Sequence, residues 1–289
     1  MNQFHRIAVV GLGTMGSGIA QVFAASGRDV VALETDQVRA EAGIAAISAF
    51  LDGGVARGKV SADEKKATLA RITTGTAPDD LADVDLVVES VTENLEVKRE
   101  ILAAVAAAVG DGTPIVTNTS ALSVTALAAA LPDPSRVAGL HFFNPAPVMR
   151  TVEVVRALQT SQDLVDRLVT LVHSLDGKQP IVVRDRPGFL INALLLPYLN
   201  DVIQEYHDGL ATAEDIDLAL KLGLGYRSGP LEMLDMIGLD VHLHATESMY
   251  TATSDARYAP PPLLRQMVAA GHLGTKNSKG FRTGEKKTR

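Results

Sequence analysis

Near its start the 289-residue sequence reads Arg6-Ile7-Ala8-Val9-Val10-Gly11-Leu12-Gly13-Thr14-Met15-Gly16, a short apolar run followed by the pattern GxGxxG. The apolar run predicts a buried strand, and the Ala-rich segment that follows predicts a helix. In this context Gly11 allows a tight turn, Gly13 lets the backbone approach a pyrophosphate, and Gly16 lets helix and strand pack closely. The helix N-terminus then attracts that anion. We therefore predict a dinucleotide-binding loop made of Gly11, Leu12, Gly13, Thr14, Met15 and Gly16.

Short Val- and Ile-rich runs alternate with longer helical stretches through the first part of the chain. Strands are predicted at Arg6–Val10, Asp29–Leu33, Asp85–Glu89, Pro114–Thr117, Val137–His141, Val152–Val154 and Pro180–Val183. Helices are predicted at Gly16–Ser26, Gln37–Phe50, Leu95–Val109 and Leu164–Leu175. This alternation is typical of a Rossmann-type α/β fold, with a mainly parallel sheet and right-handed crossovers.

The pattern changes after Asp185-Arg186-Pro187-Gly188, where proline and glycine favour a boundary. Beyond it only helices are predicted, at Asn192–His207, Ala213–Leu222, Pro230–Tyr250 and Pro262–Ala270. We therefore predict a dinucleotide-binding Rossmann domain over residues 1–185. An all-helical domain for substrate binding and dimerisation is predicted over residues 186–289.

Composition excludes several classes of protein. The formal net charge of −7 argues against a general binder of nucleic acid or of anionic membranes. The chain has no cysteine, which excludes disulfides, thiolate catalysis and zinc–cysteine sites. The first residues do not resemble a signal peptide, and no apolar run is long enough to span a bilayer. A cytoplasmic location is expected by default.

An acidic residue, Glu34, ends the second predicted strand, eighteen positions after Gly16. A carboxylate at this point hydrogen-bonds the adenosine ribose and repels a 2′-phosphate, so the sequence predicts NAD as cofactor in preference to NADP. Arg28 and Arg39 lie nearby in sequence, and the alternative that one of them reaches a phosphate stays open.

A histidine, His141, ends another predicted strand in the stretch His141-Phe142-Phe143-Asn144-Pro145. Ligands of open α/β sheets bind beyond the carboxyl ends of strands, and histidine is the usual general base near neutral pH. Glu153 lies inside the apolar run Val152–Val155, where a charged residue needs a partner. We expect Glu153 to orient the ring of His141, although the residues alone leave a structural role for this histidine open.

Several motifs, taken together, resemble the L-3-hydroxyacyl-CoA dehydrogenase family over nearly the whole chain and in the correct order. They are Asn118-Thr119-Ser120-Ala121-Leu122, His141-Phe142-Phe143-Asn144-Pro145, Val152-Glu153-Val154-Val155, Pro187-Gly188-Phe189-Leu190-Ile191-Asn192 and Gly229-Pro230-Leu231-Glu232 with Gly238-Leu239-Asp240. The second-strand acid departs from the family pattern, which usually has Asp where this chain has Glu34. Arg227-Ser228 replaces a common Pro-Met pair, and this puts the acyl group in doubt.

The resemblance implies a role for each matching residue. His141 is the catalytic base and Glu153 its acidic partner, while Ser120 and Asn192 contact the reacting oxygen. The implied cofactor-side positions, besides Ser120, are Glu93, Lys98, Asn144 and Lys276. His141 is then expected to take the proton of the 3-hydroxyl while C3 gives a hydride to the nicotinamide.

Three functions are weighed. The first is oxidation of a short-chain L-3-hydroxyacyl-CoA such as 3-hydroxybutyryl-CoA, a reaction of fatty acid metabolism. The second is the same chemistry on an acyl group carried by an acyl carrier protein, or on a free hydroxy acid. The third, argued against by the intact set of site residues, is a dinucleotide-binding protein without catalysis.

The substrate handle and the oligomeric state are less constrained. Arg57 and Lys59, with Lys65 and Lys66, are basic positions that could meet coenzyme A phosphates or form a solvated face. Apolar residues at Leu194–Leu196 and from Met233 to Ile237 predict a homodimer through the helical domain, with core packing as the alternative. His242 and His244 are two positions apart and point to different faces of a helix, and we predict no metal site.

Overall fold

The computed structural model describes residues 4–282. The chain divides into two compact units, with the division between Arg186 and Pro187, one residue from the predicted boundary. None of the helices in the described range is long and apolar enough to cross a membrane.

The first unit is built on an eight-stranded sheet with the order β3-β2-β1-β4-β5-β6-β7-β8. The strands are β1 (Arg6–Val10), β2 (Asp29–Leu33), β3 (Ile72–Gly75), β4 (Leu86–Glu89), β5 (Ile115–Thr117), β6 (Val137–Phe142), β7 (Thr151–Arg156) and β8 (Gln179–Arg184). Strands β1 to β6 are mutually parallel, β7 pairs antiparallel with β6, and β8 is parallel to β7. The predicted Rossmann-type, mainly parallel sheet is confirmed.

Helices connect these strands. They are α1 (Thr14–Ala25), α2 (Gln37–Ala56), α3 (Ala62–Ala70), α4 (Leu95–Ala108), α5 (Val124–Ala128) and α6 (Gln162–His173). Strand β3 and helices α3 and α5 were not predicted. The polar helix α3 does carry a sequence signal, because Ser61 and Glu64 form a capping box at its start.

Small aliphatic side chains, with few aromatics, form the core of this unit. Ile7 and Val9 of β1 and Ile19 of α1 have no exposed surface. The rings of Phe23 and Phe142 meet edge to face, with centroids 6.0 Å apart, and join α1 to the end of β6. Truncation of such a buried phenylalanine to alanine costs about 3–5 kcal/mol. This contact helps to fix α1, which begins at the glycine turn, against the sheet.

The second unit is helical, as predicted. Its helices are α7 (Ile191–His207), α8 (Ala213–Leu224), α9 (Pro230–Ile237), α10 (Leu239–Thr253) and α11 (Pro262–Ala269). The prediction of one continuous helix over Pro230–Tyr250 is wrong. Gly238 has a φ of +101°, outside helical geometry, and it ends α9 and begins α10.

Candidate active site

The glycine turn after β1 has the backbone geometry expected of a dinucleotide-binding loop. Gly11 has a φ of +90°, a conformation that residues with side chains rarely adopt. A Cβ atom on Gly16 would lie 1.7 Å from the carbonyl oxygen of Gly11, so helix and turn can approach this closely only at glycine. A Cβ atom on Gly13 would meet nothing within 4 Å. Protein packing therefore does not require this glycine, whereas a close ligand would.

Helix α1 starts at this turn with Gly13 as its N-cap residue and without a side-chain cap. Uncapped N–H groups at a helix start carry partial positive charge and favour an anion. Gly13 and Thr14 line a cavity of about 580 Å³, together with Glu34, Arg39 and Asn144. The open glycine, the uncapped helix and the acid at the cavity wall all fit a bound dinucleotide.

Glu34 is fixed in place by the backbone around it. Its Oε1 accepts a hydrogen bond from the Leu12 N–H at 2.7 Å, and its Oε2 accepts one from the Thr35 N–H at 3.0 Å. The carboxylate thus stays beside the glycine turn. Of the two nearby arginines, Arg39 lines the cavity, while Arg28 donates to the Ser174 hydroxyl and to backbone elsewhere.

His141 and Glu153 form a buried pair across two antiparallel strands. They are directly opposite in the register of β6 and β7, and His141 Nδ1 lies 2.7 Å from Glu153 Oε2. The side chains are 7% and 1% exposed. The ring of Phe143 lies against that of His141, with centroids 4.5 Å apart. The strand register therefore brings His141 and Glu153 into the contact that the sequence predicts.

Ser120 lies in the loop after β5, and Glu93 organises that loop. One carboxylate oxygen of Glu93 accepts from the Thr119 hydroxyl at 2.5 Å and from the N–H groups of Ser120 and Ala121 at 3.0 and 3.2 Å. Burial raises the pKa of Glu93, but the charge of Lys98 and these hydrogen bonds outweigh it and hold that pKa below its ordinary value. A charged Glu93 therefore fixes the backbone that carries Ser120.

Lys98 is buried beside two glutamates, and its implied position on the cofactor side stays a prediction. Its side chain is 1% exposed, and Nζ lies 2.6 Å from Glu89 Oε1 and 3.4 Å from Glu93 Oε2. Glu89 has no exposed surface and also accepts from the Thr117 hydroxyl at 2.6 Å. The structure thus gives Lys98 the role of anchoring Glu93. The sequence analysis missed Glu89, although a glutamate at the end of an apolar strand was a usable signal.

Asn118 has a structural role that its sequence motif does not reveal. Its Oδ1 accepts from the Phe142 N–H at 2.8 Å, and its own N–H donates to the Glu89 carbonyl oxygen at 2.8 Å. The end of β5 is therefore tied to the end of β6, one residue past His141. The loop of Ser120 and the strand of His141 form one connected arrangement at the carboxyl ends of the parallel strands.

Two family models match the chain almost end to end. The model described as "3-hydroxyacyl-CoA dehydrogenase, NAD binding domain" covers residues 6–186, and the one described as "3-hydroxyacyl-CoA dehydrogenase, C-terminal domain" covers residues 188–284. The chain belongs to the 3-hydroxyacyl-CoA dehydrogenase family. It is therefore an NAD-dependent oxidoreductase, as the sequence analysis predicts.

Known proteins of this family are similar over nearly the full chain. A 3-hydroxybutyryl-CoA dehydrogenase from Mycobacterium tuberculosis is 42% identical over 280 residues, which is 96% of this chain and 98% of the relative. The 3-hydroxyadipyl-CoA dehydrogenase of Escherichia coli is 41% identical over 97% of this chain, which corresponds to 59% of that protein. The crystal structure of (S)-3-hydroxybutyryl-CoA dehydrogenase from Ralstonia eutropha superposes with a TM-score of 0.91 at 41% identity, covering 98% of this chain and all of the other.

Two residues expected at a family active site lie in the helical unit. Asn192 is the second residue of α7 and is half-buried. Lys276 places its Nζ 2.7 and 2.8 Å from the two carboxylate oxygens of Asp240. The hydrogen bond from Lys276 lowers the pKa of Asp240, so this is a charged pair within the second unit. The roles of Asn192 and Lys276 toward substrate and cofactor stay predictions.

The basic positions considered for the substrate handle divide into two kinds. Lys65 forms an ion pair with Asp52 at 2.6 Å, which is the solvated-face arrangement. Arg57 follows α2, and both Arg57 and Lys59 are exposed. Of the ion pairs that the structure describes for residues 4–282, none involves either of these two cations. Within the same range, no three His, Asp or Glu side chains cluster as a metal ion would need.

Proposed function

We propose that this dehydrogenase oxidises the 3-hydroxyl group of a short-chain L-3-hydroxyacyl-CoA, with 3-hydroxybutyryl-CoA as the preferred type of substrate. The observation that carries the proposal is the buried contact of 2.7 Å between His141 Nδ1 and Glu153 Oε2. His141 is three residues before Asn144, which lines the cofactor cavity. The names of the relatives from M. tuberculosis and R. eutropha support the short acyl chain.

The proposed mechanism assigns the proton to His141. Because Glu153 holds Nδ1, the ring accepts the proton of the 3-hydroxyl at Nε2. The oxygen keeps the electron pair and forms the ketone as the hydride leaves C3. The nicotinamide, when bound, supplies the hydride acceptor. The carboxylate of Glu153 stabilises the imidazolium that results, and in the reverse reaction His141 returns the proton to the oxygen.

Ser120 and Asn192 are proposed to hold the reacting oxygen. Support for Ser120 comes from the chain of contacts behind it. Buried Glu89 holds buried Lys98, Lys98 pairs with the more exposed Glu93, and Glu93 accepts from the Ser120 N–H. Such preorganisation is what positions a reacting group without cost at the moment of reaction. Asn192 is proposed on the family resemblance.

Preference for NAD over NADP is proposed to rest on Glu34. Two backbone N–H groups fix its carboxylate at the cavity wall, where it repels a 2′-phosphate. Arg39 lines the same cavity, but Asp36 lies 3.4 Å from its Nε and partly neutralises it.

Coenzyme A is proposed as the substrate handle, with Arg57 and Lys59 near its phosphates. Support comes from the exposure of both cations at the end of α2 and from the acyl-CoA names of the relatives. Double substitution of Arg57 and Lys59 by serine is expected to raise KM for the thioester and leave NADH affinity unchanged. An unchanged KM would leave these cations as part of a solvated face.

A homodimer formed through the helical unit is also proposed. Core packing accounts for Leu196 and Leu234, which are buried, whereas Leu194 and Met236 are 67% and 54% exposed. Exposed apolar side chains on a small helical unit favour a protein interface. A monomer mass in light scattering at micromolar concentration would rule the dimer out.

We also propose that the protein acts in fatty acid metabolism in the cytoplasm. Fractionation of cells that produce the protein tests the cytoplasmic location.

One assay separates the competing substrates. NADH formation is followed with the L and D isomers of 3-hydroxybutyryl-CoA, the same acyl group on an acyl carrier protein, and free 3-hydroxybutyrate. We expect turnover with the L isomer of the coenzyme A thioester and NAD, and far less with the D isomer or with NADP. A higher kcat/KM on the carrier-protein thioester or the free acid would replace coenzyme A as the handle. No turnover on any of them, with NADH still bound, would favour the non-catalytic alternative.

A further inference from the structure

Lys178 is a buried cation that takes no part in the mechanism above. It lies just before β8 and is 4% exposed, and its ammonium donates hydrogen bonds to the carbonyl oxygens of Ala146 and Met149, each at 2.5 Å. No carboxylate of residues 4–282 pairs with it among the described ion pairs. Burial lowers the pKa of Lys178. A buried ammonium without a carboxylate costs free energy, which these carbonyl contacts offset.

Both carbonyl partners belong to the β6–β7 loop, residues 143–150. Pro145 and Pro147 interrupt this loop, and neither has a backbone N–H to donate. The internal hydrogen bonds of the loop both end on the Pro145 carbonyl oxygen, which accepts from the N–H groups of Val148 and Met149. Lys178 therefore supplies the donor for two carbonyl groups, those of Ala146 and Met149, that the loop itself does not satisfy.

The same loop forms one wall of the cofactor cavity. Asn144, Pro145 and Pro147 line the cavity together with Leu12 and Gly13 of the glycine turn. A Cβ atom on Gly18 of α1 would lie 3.2 Å from the Ala146 Cβ and from the Pro147 Cδ, so the loop packs directly against α1. A small outward shift of the loop would widen the cavity where the dinucleotide binds.

The pair of His141 and Glu153 does not depend on this loop in the same way. The two residues are register partners in the ladder of β6 and β7, and Asn118 also holds the Phe142 N–H. The strands therefore keep the pair in place even where the connection between them loosens.

We propose that Lys178 is a positioning residue that holds the β6–β7 loop against the cofactor cavity and thereby sets the affinity for NAD and NADH. The proposal rests on the proposed function for its kinetic readout, but its binding readout does not need turnover. Loss of Lys178 is expected to weaken cofactor binding and to leave the rate of proton transfer unchanged.

The test compares Lys178→Met with a matched control, Arg136→Met, in the full chain. Arg136 is 8% exposed and likewise donates to backbone carbonyl oxygens, those of Gly110 and Thr113 at 2.8 and 3.0 Å. It precedes β6 and so lies at the amino ends of the strands, away from the cavity. For each variant, we would measure Kd for NADH by fluorescence titration, KM for NAD, kcat and Tm.

Lys178→Met is expected to raise Kd for NADH and KM for NAD about tenfold, the size expected for loss of hydrogen bonds from a charged donor. Its kcat at saturating NAD should stay close to that of the unsubstituted enzyme, and Arg136→Met should lower Tm without changing Kd. Wild-type Kd in Lys178→Met, or an equal loss of affinity in Arg136→Met, would overturn the proposal.

A milder variant keeps the test decisive if Lys178→Met does not fold. Lys178→Gln retains an amide donor that can reach one carbonyl group, and a smaller increase in Kd for NADH with unchanged kcat is expected. No increase in Kd would contradict the proposal. Failure of the unsubstituted enzyme to turn over the thioester while binding NADH would instead count against the proposed substrate alone.

Discussion

Each unit contains one histidine that is almost fully buried, and the two differ in their partner. His141 in the first unit is buried and has a carboxylate at 2.7 Å from Nδ1. His242 in the second unit is 1% exposed and has an amide oxygen, Asn200 Oδ1, at 3.0 Å from Nε2. Its Nδ1 has no hydrogen-bond partner among the described residues. Burial lowers the pKa of His242 to about 4.

The comparison shows that burial alone does not make a histidine a base. A carboxylate partner stabilises the imidazolium and so allows the ring to take up a proton. An amide partner gives no such charge stabilisation, and desolvation then keeps the ring neutral. His242 connects α10 to Asn200 of α7, and Asn200 in turn donates to the Thr246 hydroxyl at 2.8 Å. Its contacts are those of a structural residue, whereas His141 has the carboxylate partner that the proposed proton transfer requires.

Substitution of the first histidine gives the largest expected effect. His141→Gln is expected to lower kcat about 10³-fold, because the proposed general base is lost. NADH should still bind, since the residues that line the cofactor cavity are untouched. Steady-state rates and a fluorescence titration with NADH measure both quantities. A variant with near-normal kcat would remove His141 from the mechanism.

Removal of the charge beside His141 gives the next largest effect. Glu153→Gln keeps an oxygen that can accept from Nδ1 but loses the carboxylate, so kcat is expected to fall about 10²-fold. KM for NAD should change little. Tm is measured in parallel to show that the variant is folded. A normal rate in a stable Glu153→Gln enzyme would mean that an amide partner, like Asn200 beside His242, is sufficient for proton transfer.

The low pKa of His242 makes stability depend on pH. Below pH 6.5 the unfolded histidine binds a proton, while the folded one stays neutral until about pH 4. The unfolded state therefore gains protons, and the free energy of unfolding falls by about 3 kcal/mol between these two pH values. Urea unfolding of the unsubstituted protein and of His242→Gln at several pH values measures this contribution. An equal pH dependence in both proteins would contradict the assignment.

The same substitution is expected to have the smallest effect on catalysis. At the pH of the assay, His242→Gln should leave kcat and KM unchanged, because His242, its partner Asn200 and the Thr246 hydroxyl that Asn200 binds are all buried in the helical unit. Its Tm is expected to fall moderately. A large loss of kcat with normal NADH binding would break the distinction between the two histidines.

Much of the first unit is predictable because its signals are local. The Val- and Ile-rich runs and the glycine turn identify β1, α1 and β2 without any tertiary information. Strand β3 was missed since only four residues, Ile72–Gly75, pair at the sheet edge and two of them are exposed. The break at Gly238 was missed because the apolar periodicity continues across it and only its positive φ ends the helix.

Parts of the candidate site follow from sequence motifs, whereas contacts between residues of distant strands do not. His141 and Glu153 follow from the family resemblance, and the strand register shows why they meet. The cofactor-side position of Lys98 stays a prediction, and its contact with the buried Glu89, nine positions earlier, had no motif to signal it. Lys178 had no sequence signal, since its partners are carbonyl groups of a loop about thirty residues away.

His141 is proposed to take the substrate proton at a site built on the first unit. The most direct test is a crystal structure of the protein with NAD and acetoacetyl-CoA, the ketone that 3-hydroxybutyryl-CoA oxidation would produce. We predict that the C3 carbonyl oxygen lies about 3 Å from His141 Nε2, within hydrogen-bond reach. A thioester bound in order, with that oxygen far from His141, would contradict the account.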